Sequence, residues 1–276
     1  MIEVLYNQGC HLGNHLYLYV AGRLLARRLG LTLKTDPIDG FSRTKDVING
    51  QTIDGQVEIL DSADPIPLWP EVDGLIGKKL RITQGFVNSR YFIKDRDIIK
   101  TWLATNQAMS VDEEDVLINI RLGDFVPLGL VLDPSYYTHI LERIKFRKLY
   151  LMTDDPSHEY LNNIKKFNPI LIPGYGVEHF RKAISFKRII MSNSTFCWWF
   201  TFVSDAHEIF FPMINGNRCG SWCISHLPAI DLRLDLPEVT HVYNIPNWNS
   251  PCPNPTDQEK EEAISFGKKS KTLFLP

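Results

Sequence analysis

From residue 116 to residue 212 the chain alternates short apolar runs with helix-patterned segments, and this alternation restricts the fold more than any other feature. Residues 116–120, 148–152, 169–172, 188–191 and 208–212 read as strands. Between them, 134–144, 156–167, 177–186 and 194–204 read as helices. Val177, Phe180 and Ile184 fall on one helical face, and Asp133 stands where a helix start needs a cap. Strands joined through helices pair in parallel, because a parallel connection needs a long crossover. The expected architecture is therefore α/β, with a doubly wound parallel sheet.

The first part of the chain begins in the same way. Residues 2–6 are strand-like, 8–13 form a turn, and 14–29 a helix with Leu16, Tyr19, Val20 and Leu24 on one face. Gly30 supplies a stop before a strand over 31–35. Residues 36–90, rich in Gly, Pro, Asp and Asn with short β-like runs such as 56–60, read as an irregular, exposed insert. A helix is expected over 97–107, then an acidic connection over 110–115. At 276 residues the chain exceeds the usual size of one domain. The expected division is an N-terminal lobe over 1–110 and a C-terminal lobe over 111–250. A breaker at 251–255, a charged helix at 256–266 and a tail complete the chain.

Composition serves mainly to exclude. Thirty Lys and Arg against 32 Asp and Glu give a net charge of −2, with no dense basic run, so nucleic acid is not the expected partner. No apolar run approaches membrane-spanning length, and the N-terminus opens on a strand rather than a charged leader, so no membrane span and a cytoplasmic location are expected. The five cysteines are odd in number and scattered, which argues against a disulfide framework. Cys219 and Cys223 could share a metal, but no second pair with ligand spacing accompanies them.

Three strand exits in the second lobe carry polar groups. The run Val116-Leu-Ile-Asn-Ile ends in Arg121-Leu-Gly123-Asp124-Phe125. An arginine at a strand mouth needs acceptors, either a phosphate or a structural ion pair such as one with Asp124. The second exit is Thr153-Asp154-Asp155-Pro156, and the third is Ser192-Asn193-Ser194-Thr195-Phe196. The latter two could be plain helix caps, or they could turn side chains and N–H groups toward an anion. Together at one sheet edge they favour a nucleotide site.

Other motifs carry less. Gly9-Cys-His11-Leu-Gly13-Asn14 sits where a dinucleotide fingerprint would, but is not G-x-G-x-x-G and has no acidic partner at the right distance. His11 and His15 are four apart without an intervening H-E-x-x-H glutamate, so His11 reads better as a candidate base or a packing residue. Asp95-Arg-Asp97 has the letters of a metal-diphosphate clamp but precedes a helix directly and reads as capping. Trp198 and Trp199 read as core.

The combination resembles a known family. Asn119-Ile-Arg121-Leu-Gly-Asp124-Phe125, Thr153-Asp-Asp155 and Ser192-Asn-Ser-Thr-Phe-Cys-Trp-Trp199 are similar to motifs of the α-1,2-fucosyltransferases of glycosyltransferase family eleven. Those run H-x-R-x-G-D-[YF], [ST]-D-D and N-S-T-F-S-W-W. The opening Gly9-Cys-His-Leu-Gly13-Asn14-His15 resembles their G-G-L-G-N-Q, and the motifs keep the family's order over residues 8 to 200. The resemblance implies a GT-B arrangement of two facing Rossmann-like lobes and an inverting transfer of L-fucose from GDP-fucose to a glycan acceptor, with no required metal or cofactor. It implies that Arg121 binds the donor β-phosphate, that Ser194 and Thr195 line the diphosphate, that Asp154 faces the guanine, and that Asn119, Asn193 and Phe196 also belong to the donor site. Gly13 and Asn14 would border the donor from the other lobe. The family histidine is Asn119 here, its second opening glycine is His11 and its glutamine is His15. His11 and Asp124 are rival candidates for the base. The departures keep open another GDP-deoxyhexose donor, or a catalytically silent glycan- or nucleotide-binding protein. A metal-dependent transferase using Asp95 and Asp97 is a further alternative.

Overall fold

The computed structural model describes residues 1–6, 11–41, 44, 78–83, 89–105, 109–214, 232–234, 236–245, 257, 261, 265 and 268–274, with 57–60 as backbone only. The described residues fall into two compact units, one within Met1–Thr105 and the other within Asn106–Ser225 and Asp231–Pro276. Both are mixed α/β with parallel sheets.

The first unit contains β1 (Ile2–Val4), α1 (Leu12–Leu29), β2 (Leu33–Thr35), β3 (Val57–Leu60), β4 (Lys79–Ile82) and α2 (Arg96–Trp102). Its four strands run in the order β2-β1-β4-β3, every pair parallel. Helix α1 packs tightly onto β1, since a Cβ on Gly22 would collide with Val4. The helix ends at Gly30, whose φ of +65° is left-handed and costs glycine nothing. Its N–H donates to the carbonyl of Ala26, and Arg27 and Arg28 in the last turn complement the helix dipole. On inner strand β1, Glu3 lies opposite Lys34 and Arg81 in register and pairs with both, at 2.9 and 2.7 Å. The bonds from Lys34 and Arg81 hold its carboxyl below the usual range.

The second unit contains β5 (Val116–Ile120), α3 (Pro134–Leu141), β6 (Leu149–Thr153), β7 (Ile170–Leu171), α4 (Val177–Ala183), β8 (Arg188–Ile190), α5 (Thr195–Val203), β9 (Glu208–Ile214), β10 (Thr240–Ile245) and β11 (Thr272–Phe274). Its parallel sheet runs β7-β6-β5-β8-β9-β10-β11. The chain therefore starts at β5, moves outward through β6 and β7, then returns to the other side of β5 and moves outward again. Strands β5 and β6 are buried at every residue, as expected of inner parallel strands. Asp133 caps α3 by accepting from the Ser135 N–H at 2.8 Å, and Pro134 occupies the position where a missing N–H costs least. The buried Tyr136 hydroxyl directs its one proton between the carbonyls of Met191 and Phe210, at 3.0 and 2.9 Å, tying α3 to the segments around β8 and β9.

Several sequence expectations are corrected. Within 36–90, expected to be an irregular, exposed insert with a β-like run at 56–60, that run is β3, and β4 is a further strand that lies inside the sheet with Leu80 and Ile82 fully buried. The alternation Leu80-Arg-Ile82 is too short a signal to stand out among its polar neighbours. The helix expected at 156–167 is two 3-10 segments, Glu159–Asn163 and Lys165–Phe167. Side chains there bond locally: the His158 ring accepts from the Tyr160 N–H and the Asn163 amide donates to the Tyr160 carbonyl. Such competition disfavours a regular helix. Helix α1 begins at Leu12 rather than 14, α2 ends at Trp102, and α3 ends at Leu141. Residues 272–274, expected as tail, pair with β10 as β11. The expectations for Gly9, Cys10, Cys219, Cys223 and Cys252 lie outside the described residues.

An electrostatic knot joins the starts of the last strands. Arg188 and Glu208 are register partners on β8 and β9, and Arg188 Nε donates to Glu208 at 2.6 Å. His241 Nε2 lies 3.5 Å from the other carboxylate oxygen. Burial alone would raise the Glu208 carboxyl, but the bonds from His241 and Arg188 outweigh it and hold it at about 2. Its ordinary value is 4.5, so this stabilisation is present above pH 4.5 and is lost as pH falls toward 2. Glu208→Gln is expected to cost on the order of 3 kcal/mol at neutral pH. The gap between variant and wild-type melting temperatures should close as pH falls from 5 to 2. A gap that stays constant over that range would mean that Glu208 contributes packing rather than charge.

Candidate functional site: strand exits at the sheet reversal

The order of the second sheet fixes where a ligand can approach. In open parallel sheets, ligands bind beyond the carboxyl ends of the strands at the point where strand order reverses, because the connections there diverge and leave a crevice. Here that point lies between β5 and β8, with β6 on the far side of β5. The exits of these three adjacent strands are the polar segments starting at Arg121, Met191 and Asp154.

Arg121 follows directly on β5. Its Nε and one Nη donate to the same oxygen of Asp124, at 3.0 and 2.6 Å, and the other Nη lies 2.9 Å from Asp154 Oδ2. The second oxygen of Asp154 accepts from the Leu122 N–H at 2.8 Å. Asp154 therefore crosses from the β6 exit to the β5 exit and grips both backbone and side chain. Gly123 is what admits it: a Cβ there would collide with Asp154 Oδ2. The need for glycine at this position comes from the protein's own carboxylate, since its φ is not left-handed. Asp124 sits on a short 3-10 turn, Gly123–Phe125, which brings its side chain back over the arginine, and the Phe125 ring lies 5.7 Å from the guanidinium carbon. Arg121 keeps 23% of its side-chain surface exposed, Asp154 22% and Asp124 32%, so the cluster is accessible at one edge. At neutral pH two carboxylates face one cation. Each Nη retains one N–H beyond these bonds.

The other strand exits are more committed to the fold. Asn119, on β5, is buried; its amide donates to the Met152 carbonyl at 3.3 Å and its oxygen accepts from the Ser192 hydroxyl at 2.6 Å. It therefore stitches β5 to β6 and to the β8 exit across the reversal point. Asn193 donates to the Leu130 carbonyl at 2.8 Å. Ser194 caps α5, its hydroxyl accepting from the Phe196 N–H at 3.2 Å. Thr195 and Phe196 are half-buried in the first turn of α5, and Phe196 packs on Phe180 and Phe200. Asp155 caps the next turn through the Ser157 N–H and hydroxyl. Cys197 is fully buried, and burial pushes its thiol up to about 12, which excludes it as a thiolate nucleophile near neutral pH. Trp198 and Trp199 are core residues, as the sequence suggests.

The remaining candidates belong to the first unit. His11 is the exposed residue just before α1 and makes no side-chain cap to the helix; Gly13 is buried and Asn14 half-buried in its first turn. Asp95 pairs with Arg28 at 2.6 Å at the start of α2, a structural engagement rather than a clamp. Among the described residues no group of His, Cys, Asp or Glu is arranged to hold a metal ion, and no helix is long and apolar enough to cross a membrane.

Sequence reading singled out Arg121, Asp124 and Asp154, and the structure brings all three together. It did not foresee that Asp154 serves Arg121 and Leu122, nor that Phe125 lies beside the guanidinium. The second of these had a signal, since Arg121 and Phe125 are four residues apart. Compared with known proteins, the chain matches no protein-family model and no curated protein.

Proposed function

We propose that the second unit binds the diphosphate of a nucleotide sugar at Arg121, and that the chain is a GT-B glycosyltransferase that moves L-fucose from GDP-fucose to a glycan hydroxyl with inversion. The observation that carries the phosphate part is the place of Arg121: a partly exposed guanidinium at the exit of β5, at the point where the sheet order reverses. Guanine and fucose are supported by the motif resemblance alone. In the transfer, an acceptor hydroxyl attacks the anomeric carbon as GDP departs from the opposite face, and the hydroxyl proton passes to water. Negative charge grows on the leaving phosphate, and a pre-positioned arginine stabilises that charge more in the transition state than in the ground state. Asp124, with an oxygen bonded to Arg121, is not assigned as the base in this reading. No metal takes part.

A second reading has its own support. The two carboxylates on Arg121 and the bonded state of Asn119, where the family carries histidine, suit a nucleotide-binding protein without transferase activity, or a different GDP-deoxyhexose donor. Calorimetric titration with GDP, GDP-fucose, GDP-mannose and UDP, with chelator present, separates these. Preferred binding of GDP and GDP-fucose, with GDP release when glycan acceptors are supplied, is the expected result. Binding of GDP without GDP-fucose would move the proposal to another donor. Binding without any release across an acceptor panel would favour the silent protein, and absence of nucleotide binding would end both readings.

A further inference from the structure

The two carboxylates on Arg121 are not equivalent, and their difference assigns them separate roles. Asp154 reaches the arginine from another strand, with one oxygen on the Leu122 N–H and the other on an Nη, in a space that exists only because residue 123 lacks a Cβ. It is built into the meeting of two strand exits. Asp124 is three residues from Arg121 on a short turn, is the more exposed of the two, and accepts from Nε and Nη2 together. That side-on edge of a guanidinium is the one that receives phosphate or carboxylate in a two-pronged contact.

We propose that Asp124 occupies the ligand edge of Arg121 and is displaced by the incoming phosphate, whereas Asp154 is a positioning residue that keeps the guanidinium aimed while the exchange takes place. The inference rests on the phosphate-binding part of the proposed function and not on guanine, fucose or transfer. Physically, a carboxylate on that edge does two things. It keeps the fork flat and oriented at the strand mouth, and it sets a threshold that favours ligands carrying more negative charge than itself. Diphosphates meet that condition; singly charged carboxylates do not. The site is thereby selective for a phosphoanhydride over a sugar acid or an amino acid.

The roles predict effects of opposite sign. Inorganic pyrophosphate is titrated calorimetrically into the full chain, with acetate as the singly charged control, and each variant's melting temperature is recorded. Asp124→Asn and Asp124→Ser both remove the competing charge and are expected to tighten pyrophosphate about tenfold and to reduce its preference over acetate. Asp154→Ala is expected to weaken pyrophosphate at least tenfold, with Asp154→Asn partly restoring it because an amide oxygen still accepts from Leu122. A purely structural pair would shift melting temperatures without this split in affinity. Weaker pyrophosphate binding in both Asp124 variants would overturn the proposal, as would failure of the folded wild type to bind pyrophosphate. Opposite-signed effects with no preference for GDP would uphold the exchange while removing the fucosyltransferase reading. Turnover of GDP-fucose with Asp124 variants that bind pyrophosphate less tightly would do the reverse.

Discussion

Replacing Arg121 with alanine is expected to lower GDP release from a nucleotide-sugar donor by a factor on the order of a hundred to a thousand, from the roughly 3–4 kcal/mol that one preorganised oxyanion donor supplies. The size follows from what remains. Without the guanidinium, Asp124 and Asp154 face the proposed phosphate position with no cation between them, so the one donor fork of the cluster is lost and two uncompensated carboxylates remain. Stability should change far less. All three side chains keep a fifth to a third of their surface exposed, and ion pairs in that setting are worth about 1 kcal/mol or less. Arg121→Lys keeps a point charge but loses the fork that spans Asp124 and Asp154, and is expected to fall between wild type and alanine. The measurement is donor turnover alongside melting temperature. An alanine variant that folds and releases GDP within threefold of wild type would remove Arg121 from the proposed site.

Trp199→Ala is expected to be strongly destabilising, at about 3–5 kcal/mol. The indole is fully buried, edge-on to Trp198 with ring centroids 4.9 Å apart and edge-on to Phe202 at 5.8 Å, while Trp198 stacks on Phe202 at 4.6 Å. Removing it opens a cavity within an interlocked aromatic group on a nine-residue helix, and close-packed interiors relax only partly around such a loss. Against a domain stability of roughly 5–15 kcal/mol, the loss threatens folding at physiological temperature. Trp199→Phe keeps part of the volume and should cost less. Urea unfolding provides the check: a midpoint change corresponding to less than about 1 kcal/mol would mean that the ring is more loosely held than its burial implies. The same burial removes Trp198 and Trp199 from direct sugar stacking. Their place in a motif with Ser194 and Thr195 reflects the helix that carries the cap, not contact with a ligand.

Features decided within a few residues were legible in the sequence. The run of β5 is apolar apart from Asn119 because both sides are covered, and its abrupt end in Arg121 marks the strand exit. Asp133 and Ser194 cap helices because a short acceptor side chain satisfies the first free N–H groups, and Gly30 stops α1 because it can turn left-handed. The Arg121–Asp124 pair spans three residues and needs only a single turn to form. The strand alternation foretold parallel sheets for the same reason, since it records which backbone can connect to which.

Tertiary structure alone decided which exits became neighbours. Asp154 lies 32 residues beyond Leu122, and nothing local tells a helix cap from a carboxylate that crosses to the next strand. Asn119 and Ser192 meet across 73 residues of chain, and only the sheet order shows the Asn119 side chain holding β5 to its neighbours. The inner place of β4 and the pairing of β11 were equally hidden. Neither strand follows the strand–helix alternation that marked the others, and the position of each is set by the apolar surface that the whole sheet must cover. Periodicity and capping are properties of the chain; adjacency is a property of the packed sheet, and the candidate site is made of adjacencies.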